Sequence, residues 1–159
     1  MTSFHQHLER LLETFTPLDD GSVADYIPEL AKVDPDQFGI AIVTTDGHVY
    51  QAGDTRQTFS IQSISKAFTY GIALEDQGEA RVASRINVEP SGEAFNSISL
   101  EPVSGRPLNP MINAGAIVAT SLVKGDSGDD KLLRIQEKFA RYAGQQLHVD
   151  EAIYLSEKT

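Results

Sequence analysis

The chain has 159 residues, enough for a single domain with a buried core, and its 40% hydrophobic and 23% charged residues match an ordinary soluble globular protein. A formal net charge of −10 argues against a nucleic-acid or anionic-membrane partner, because phosphate binding needs clustered Lys and Arg. The absence of cysteine excludes disulfides, thiol catalysis and Cys-ligated zinc, and the four histidines are not at ligand spacing.

The N-terminus has no basic segment followed by an apolar stretch, and no run approaches the ~20 apolar residues of a membrane span, so the chain is read as cytoplasmic. Ser3-x-x-Gln6 has the pattern of a capping box, and Phe4, Leu8, Leu11, Leu12 and Phe15 then fall at helical spacing until Pro17 and the Asp19-Asp20-Gly21 turn. The segment from Val23 to Lys32 contains Pro28, which makes it short or irregular. From Phe38 to Thr45 the chain is rich in β-branched residues. Asp46-Gly47 and the stretch from His48 to Ala52 follow, which predicts two antiparallel strands joined by a turn.

The next stretch, Phe59-Ser-Ile-Gln-Ser-Ile-Ser-Lys-Ala-Phe-Thr-Tyr, reads as the start of a helix that Gly78 ends. Ser60 is its expected N-cap, and Phe59 is expected to staple onto Ile64. Ser63 and Lys66 are three residues apart and so share one helix face, where the ammonium can reach the hydroxyl. A serine hydroxyl is a weak nucleophile until a neighbour takes its proton. Lysine can take it only when desolvation and positive potential push its pKa towards neutrality. At the first helical turn, unpaired N–H groups would also steady an oxyanion. The pair alone is equally compatible with a capping serine and a solvated lysine. A second copy, Ser121-Leu-Val-Lys124, precedes Gly125 and fits a helix C-terminus better.

Beyond Gly78 the Val88-Glu-Pro-Ser-Gly and Ser104-Gly-Arg-Pro-Leu-Asn-Pro segments are loop chemistry. Ala114 to Val123 is small and apolar and reads as a buried helix with Asn113 as its cap. Asp130 is expected to cap an amphipathic helix carrying Leu132, Leu133, Ile135, Phe139 and Ala143, ended by Gly144. Asp150 to Leu155 predicts one or two helical turns. There are no repeats and no clear linker, so residues 1–159 are read as one domain.

The order of helix, hairpin and Ser-x-x-Lys helix resembles that of the penicillin-recognising serine hydrolases. Five strings make the resemblance specific: Ala24-Asp-Tyr-Ile-Pro-Glu-Leu-Ala, Phe59-Ser-Ile-Gln-Ser-Ile-Ser-Lys, Glu89-Pro-Ser-Gly-Glu-Ala-Phe-Asn, Asn109-Pro-Met-Ile-Asn-Ala-Gly-Ala-Ile and Tyr154-Leu-Ser-Glu-Lys. From about Ala24 onward the chain resembles the glutaminases built on the serine β-lactamase-like fold. The resemblance implies an α/β chain of the α+β type, an antiparallel hairpin packed with helices beside a helical subdomain.

It also implies hydrolysis of L-glutamine to L-glutamate and ammonia through a glutamyl-enzyme ester, with no metal or organic cofactor and with a homo-oligomeric full-length form. Carried over by position, Ser63 is the nucleophile and Lys66 its base. Tyr26 and Gln62 line the reaction centre, and Asn113 and Glu157 hold the substrate. A buried Glu157 would pair with the substrate ammonium and reject molecules lacking it. Without the resemblance, Tyr26 reads as a packed aromatic, Asn113 as a helix cap and Glu157 as a solvated charge.

Members of that family continue for roughly as many residues again. The chain is therefore expected to be the N-terminal part of the catalytic domain, inactive without further strands, substrate contacts and a second oxyanion donor. The alternative is a non-catalytic remnant that acts as an interaction module or is complemented by a separate second half.

Overall fold

A computed structural model describes residues 3–158. In chain order the elements are α1 (Phe4–Phe15), β1 (Gly39–Val43), β2 (Val49–Gly53), α2 (Ile64–Gln77), α3 (Glu79–Ala83), α4 (Asn113–Leu122), α5 (Gly128–Ala143) and α6 (Glu151–Ser156). They fall into two compact units. One comprises the chain up to Ser60 together with the stretch from Val149 onward, and the other runs from Ile61 to His148.

In the first unit the capping box forms as expected: Gln6 N–H donates to Ser3 Oγ and Ser3 N–H donates to Gln6 Oε1. α1 packs on the hairpin, with Leu8 1% exposed and the Phe4 ring 5.0 Å from that of Tyr50. The strands are antiparallel and pair from Gly39 with Gly53 to Val43 with Val49. Their connection is longer than a two-residue turn. Gly47 N–H donates to Thr44 O at 2.9 Å and Thr44 N–H to His48 O at 3.0 Å, and Gly47 takes the left-handed φ of 87° that closes such a loop without splaying the strands. Around Pro28 the chain makes turns and a single 3-10 turn at Leu30–Lys32, the irregular segment foreseen. Glu29 N–H donates to Ser156 Oγ at 3.3 Å and so ties this segment to α6, whose N-cap Asp150 accepts from Ile153 N–H.

In the second unit α2 is the element the others pack on. Ile72 and Ala73, neighbours in sequence, are both fully buried, in two different clusters. Ala73 joins Val82, Ile86, Ala119 and Leu122; Ile72 joins Val123 and Phe139. Each large apolar side chain so buried contributes about 1.5–3 kcal/mol. The far end of α2 is fixed by polar groups. Asp76, its side chain 1% exposed, accepts from Lys124 N–H at 2.8 Å and from Nε and Nη2 of Arg134 on α5, and Gln77 Nε2 donates to Leu122 O at 2.8 Å.

Four local expectations are corrected. α2 begins at Ile64 with Ser63 in the N-cap position, so Ser60 does not cap it, and Phe59 is 78% exposed instead of stapling the entry. α3 was not foreseen, because five residues are too few to show a period. Asn113 is the first residue of α4 and not its cap. The N-cap position is Ile112, with no side-chain capping bond, and Asn109 instead shapes the turn before the helix, its Oδ1 accepting from the N–H groups of Met111 and Ile112 at 3.0 and 3.2 Å. The N-cap of α5 is Ser127, and Asp130 is the other half of its capping box.

Arg134 beside Asp76, outweighing the effect of burial, holds the Asp76 carboxyl below its usual range. A carboxylate with a depressed folded-state pKa stabilises the fold above its unfolded pKa of ~3.9, and that contribution is lost as pH falls through the lower, folded value. Asp76→Asn is expected to cost about 2 kcal/mol at pH 7, from weakened hydrogen bonds to a charged acceptor. In urea titrations the difference from wild type should shrink progressively below about pH 4.

Candidate active site

The entry to α2 has an unusual backbone. Gln62 has a φ of 41°, the one left-handed non-glycine residue among the described residues, at a cost on the order of 1 kcal/mol. Three successive tight turns follow: Ile64 N–H donates to Ile61 O at 3.1 Å, Ser65 N–H to Gln62 O at 3.1 Å and Lys66 N–H to Ser63 O at 3.2 Å. The first-turn N–H groups expected to be available for an oxyanion are therefore engaged. The Ser63 N–H itself has no acceptor among the described residues.

Ser63 stands in an N-cap position, yet its hydroxyl makes no capping bond and is exposed. A capping serine would commit its oxygen to an N–H two or three residues on. Here those N–H groups already have carbonyl partners, and the Ser63 hydroxyl stays uncommitted among the described residues. The capping alternative for Ser63 is thereby removed.

Lys66, one turn into α2, is half-buried. Its Nζ donates to Asn113 Oδ1 at 2.7 Å and to Met111 O at 3.1 Å, and lies 5.3 Å from the centroid of the Phe95 ring. No carboxylate pairs with it among the described residues, and burial pushes its pKa down. The ammonium is not hydrogen-bonded to Ser63; the two hydrogen bonds it donates go to Asn113 at the start of α4 and to Met111 just before it. An ammonium only donates, so the Asn113 amide must turn its oxygen towards Lys66, which leaves its NH₂ as the group presented elsewhere.

Gln62, Ser63, Lys66 and Asn113 are thus brought together in the second unit, while Tyr26 and Glu157 belong to the first. Tyr26 is 70% exposed, so it is not a packed core aromatic. Glu157 sits at the end of α6, where its N–H donates to Ile153 O at 2.9 Å, and it is exposed. Met111 and Phe95 were missed as partners of Lys66. Met111 acts through a backbone carbonyl, which has no residue-type signature, and Phe95 looked like one aromatic in a loop. Among the described residues no group of three or more His, Asp or Glu could hold a metal ion, and no helix is long and apolar enough to cross a membrane.

The glutaminase family model matches residues 21–159. A glutaminase of Trichormus variabilis is 57% identical over 145 residues, covering 91% of this chain and 43% of that protein. A crystal structure of Mglu in its glutamate form superposes with a TM-score of 0.91 at 44% identity, over 98% of this chain and 36% of the other. A probable glutaminase from Bacillus subtilis, complexed with 6-diazo-5-oxo-L-norleucine, gives a TM-score of 0.86 at 32% identity, over 99% of this chain and 47% of the other. The chain spans less than half the length of these relatives.

The position of Asn113 depends on how closely α4 approaches the turn before it. A Cβ on Gly115 would overlap the backbone carbonyl oxygen of Asn109, in the turn that leads into the helix. Gly115→Ala is expected to destabilise the chain by about 1–3 kcal/mol in urea unfolding. Gly71→Ala on α2, where an added Cβ meets nothing within 4 Å, should instead stabilise it by about 0.5–1 kcal/mol.

Proposed function

The chain belongs to the glutaminase family, on the serine β-lactamase-like fold, and from that premise we propose that the whole protein hydrolyses L-glutamine to L-glutamate and ammonia with Ser63 as nucleophile and Lys66 as base. The observation that carries the reading is the pairing of an uncommitted Ser63 hydroxyl with a half-buried lysine one turn away that has no carboxylate partner. A lysine held by neutral acceptors loses its proton more readily than one held by a carboxylate.

In this reading the neutral Lys66 amine takes the Ser63 proton as Oγ attacks the side-chain amide carbon, and the Ser63 N–H faces the oxyanion. Lys66 then returns the proton to the departing nitrogen, and ammonia leaves behind a glutamyl ester on Ser63. Water attacks that ester with Lys66 again as base, which releases glutamate and restores the hydroxyl. The Asn113 NH₂, turned outward by Lys66, suits an acceptor on the substrate such as a carboxylate oxygen.

Gln62 and Tyr26 beside the reaction centre, and Glu157 opposite the substrate ammonium, are assigned by their place in the family strings. The glutamate form of Mglu and the amino-acid ligand of the Bacillus subtilis neighbour support a substrate with an α-ammonium and an α-carboxylate. The single catalytic domain, the homo-oligomeric state and the cytoplasmic location rest on the family resemblance and the composition.

Ser63→Ala is expected to abolish ammonia release while leaving glutamine binding measurable by calorimetry, since it removes the nucleophile and little volume. Lys66→Arg should fail as well, because a guanidinium does not deprotonate in proteins. Near-normal turnover in either variant would overturn the assignment. Glu157→Gln should raise KM for glutamine more than it lowers kcat if the carboxylate pairs with the substrate equally before and during the reaction. A fall in kcat at constant KM would place Glu157 in the chemistry instead.

A further inference from the structure

Phe95 is 55% exposed and belongs to neither buried cluster of its unit, so its ring does not serve the core. It is nevertheless held in place, and it meets the site twice. Its carbonyl accepts from Asn113 N–H at 2.9 Å, and its ring faces the Lys66 ammonium with the centroid 5.3 Å from Nζ. The Asn113 side chain in turn accepts from that ammonium at 2.7 Å. The contacts close a cycle of three residues from three segments: the loop before α4, α4 itself and α2.

We propose that Phe95 is a positioning residue for Lys66, its ring holding the ammonium against Asn113 and Met111 while its carbonyl fixes the helix start that carries Asn113. Lysine has four rotatable bonds, and two neutral acceptors on one side leave its head free to swing. A ring face on another side restrains it by attracting the charge and accepts no proton in a conventional hydrogen bond. Because the quadrupole attracts only the charged form, the restraint weakens when the amine loses its proton, and the neutral amine can turn to the Ser63 hydroxyl. That last step rests on the reading of Lys66 as base; the restraint itself does not.

The test measures the proton affinity of each lysine in the full chain, by trace acetylation across a pH series with peptide mass spectrometry. Lys131 and Lys138 serve as internal references. In Phe95→Leu, which keeps apolar cover but removes the π face, Lys66 should lose about two- to fivefold in proton affinity, so that its labelling midpoint moves to lower pH. Phe95→Tyr should track wild type, and the reference lysines should not move. An unchanged Lys66 profile in Phe95→Leu, or a Tyr variant as displaced as the Leu one, overturns the proposal.

Should Phe95→Leu unfold, the wild-type chain still decides. A ring face over the ammonium requires upfield-shifted Lys66 Hε resonances, and ordinary shifts there refute the contact. Lys66→Arg separates the two readings. A shifted Lys66 in Phe95→Leu together with intact ammonia release in Lys66→Arg sustains the contact and removes the base. The reverse pair of results removes the contact and sustains the base.

Discussion

The second unit is organised by the packing of α2 against α4. Both helices run in the same direction, because the start of α2 meets the start of α4 through Lys66 and Asn113, and their ends meet through Gln77 and Leu122. Ala73 and Ala119 lie in the cluster between them, where small side chains allow close approach. Any slide of one helix along the other would move Lys66 relative to Asn113 at one end and take the Lys124 N–H donor from the buried Asp76 at the other. The geometry of the site is thus enforced far from it, by apolar contacts in the middle and by a charge pair at the distal end.

The backbone at Gln62 is the local counterpart of that arrangement. A helix that began with a regular cap at Ser60 would bring Ser63 into its first turn with helical neighbours on either side. The left-handed residue instead ends one chain direction and starts another just before Ser63, and the turn bonds of the next three residues absorb the N–H groups that a capping side chain would seek. The strain at one residue is offset by three backbone bonds, and a serine in a capping position is left with nothing to cap.

The parts of the molecule carried by side-chain periodicity were legible from the residues alone. The capping box of α1, the hairpin around Asp46-Gly47 and the helical course of α4 appear where the pattern places them, although α4 buries only the face of Gly115, Ala119 and Leu122 and leaves Ile117 exposed, and Ser63 stands at the N-cap of the helix that carries Lys66. Helix starts were misjudged where two residues had capping chemistry within a few positions, as with Ser60 against Ser63 and Ser127 against Asp130. Residue type names both candidates, and only the backbone chooses between them. The surroundings of Lys66 were illegible for another reason. One partner is a carbonyl and another a ring brought from a loop, and neither leaves a mark in the spacing of a single sequence.

The first unit is discontinuous in sequence and the second is not, so the first cannot be completed on the ribosome until the stretch from Val149 onward has been made. Residues 61–148 emerge as one uninterrupted stretch and can collapse once they are out. The irregular segment around Glu29 must wait, because its N–H finds Ser156 Oγ only across 127 positions of chain. At typical synthesis rates that separation is on the order of 10 s. For that interval the nascent chain carries its Ser63 helix within a unit able to fold while the irregular segment after α1 still lacks the partner that closes it. A chaperone that binds exposed apolar segments would meet the hairpin half of this protein before it met the helical one.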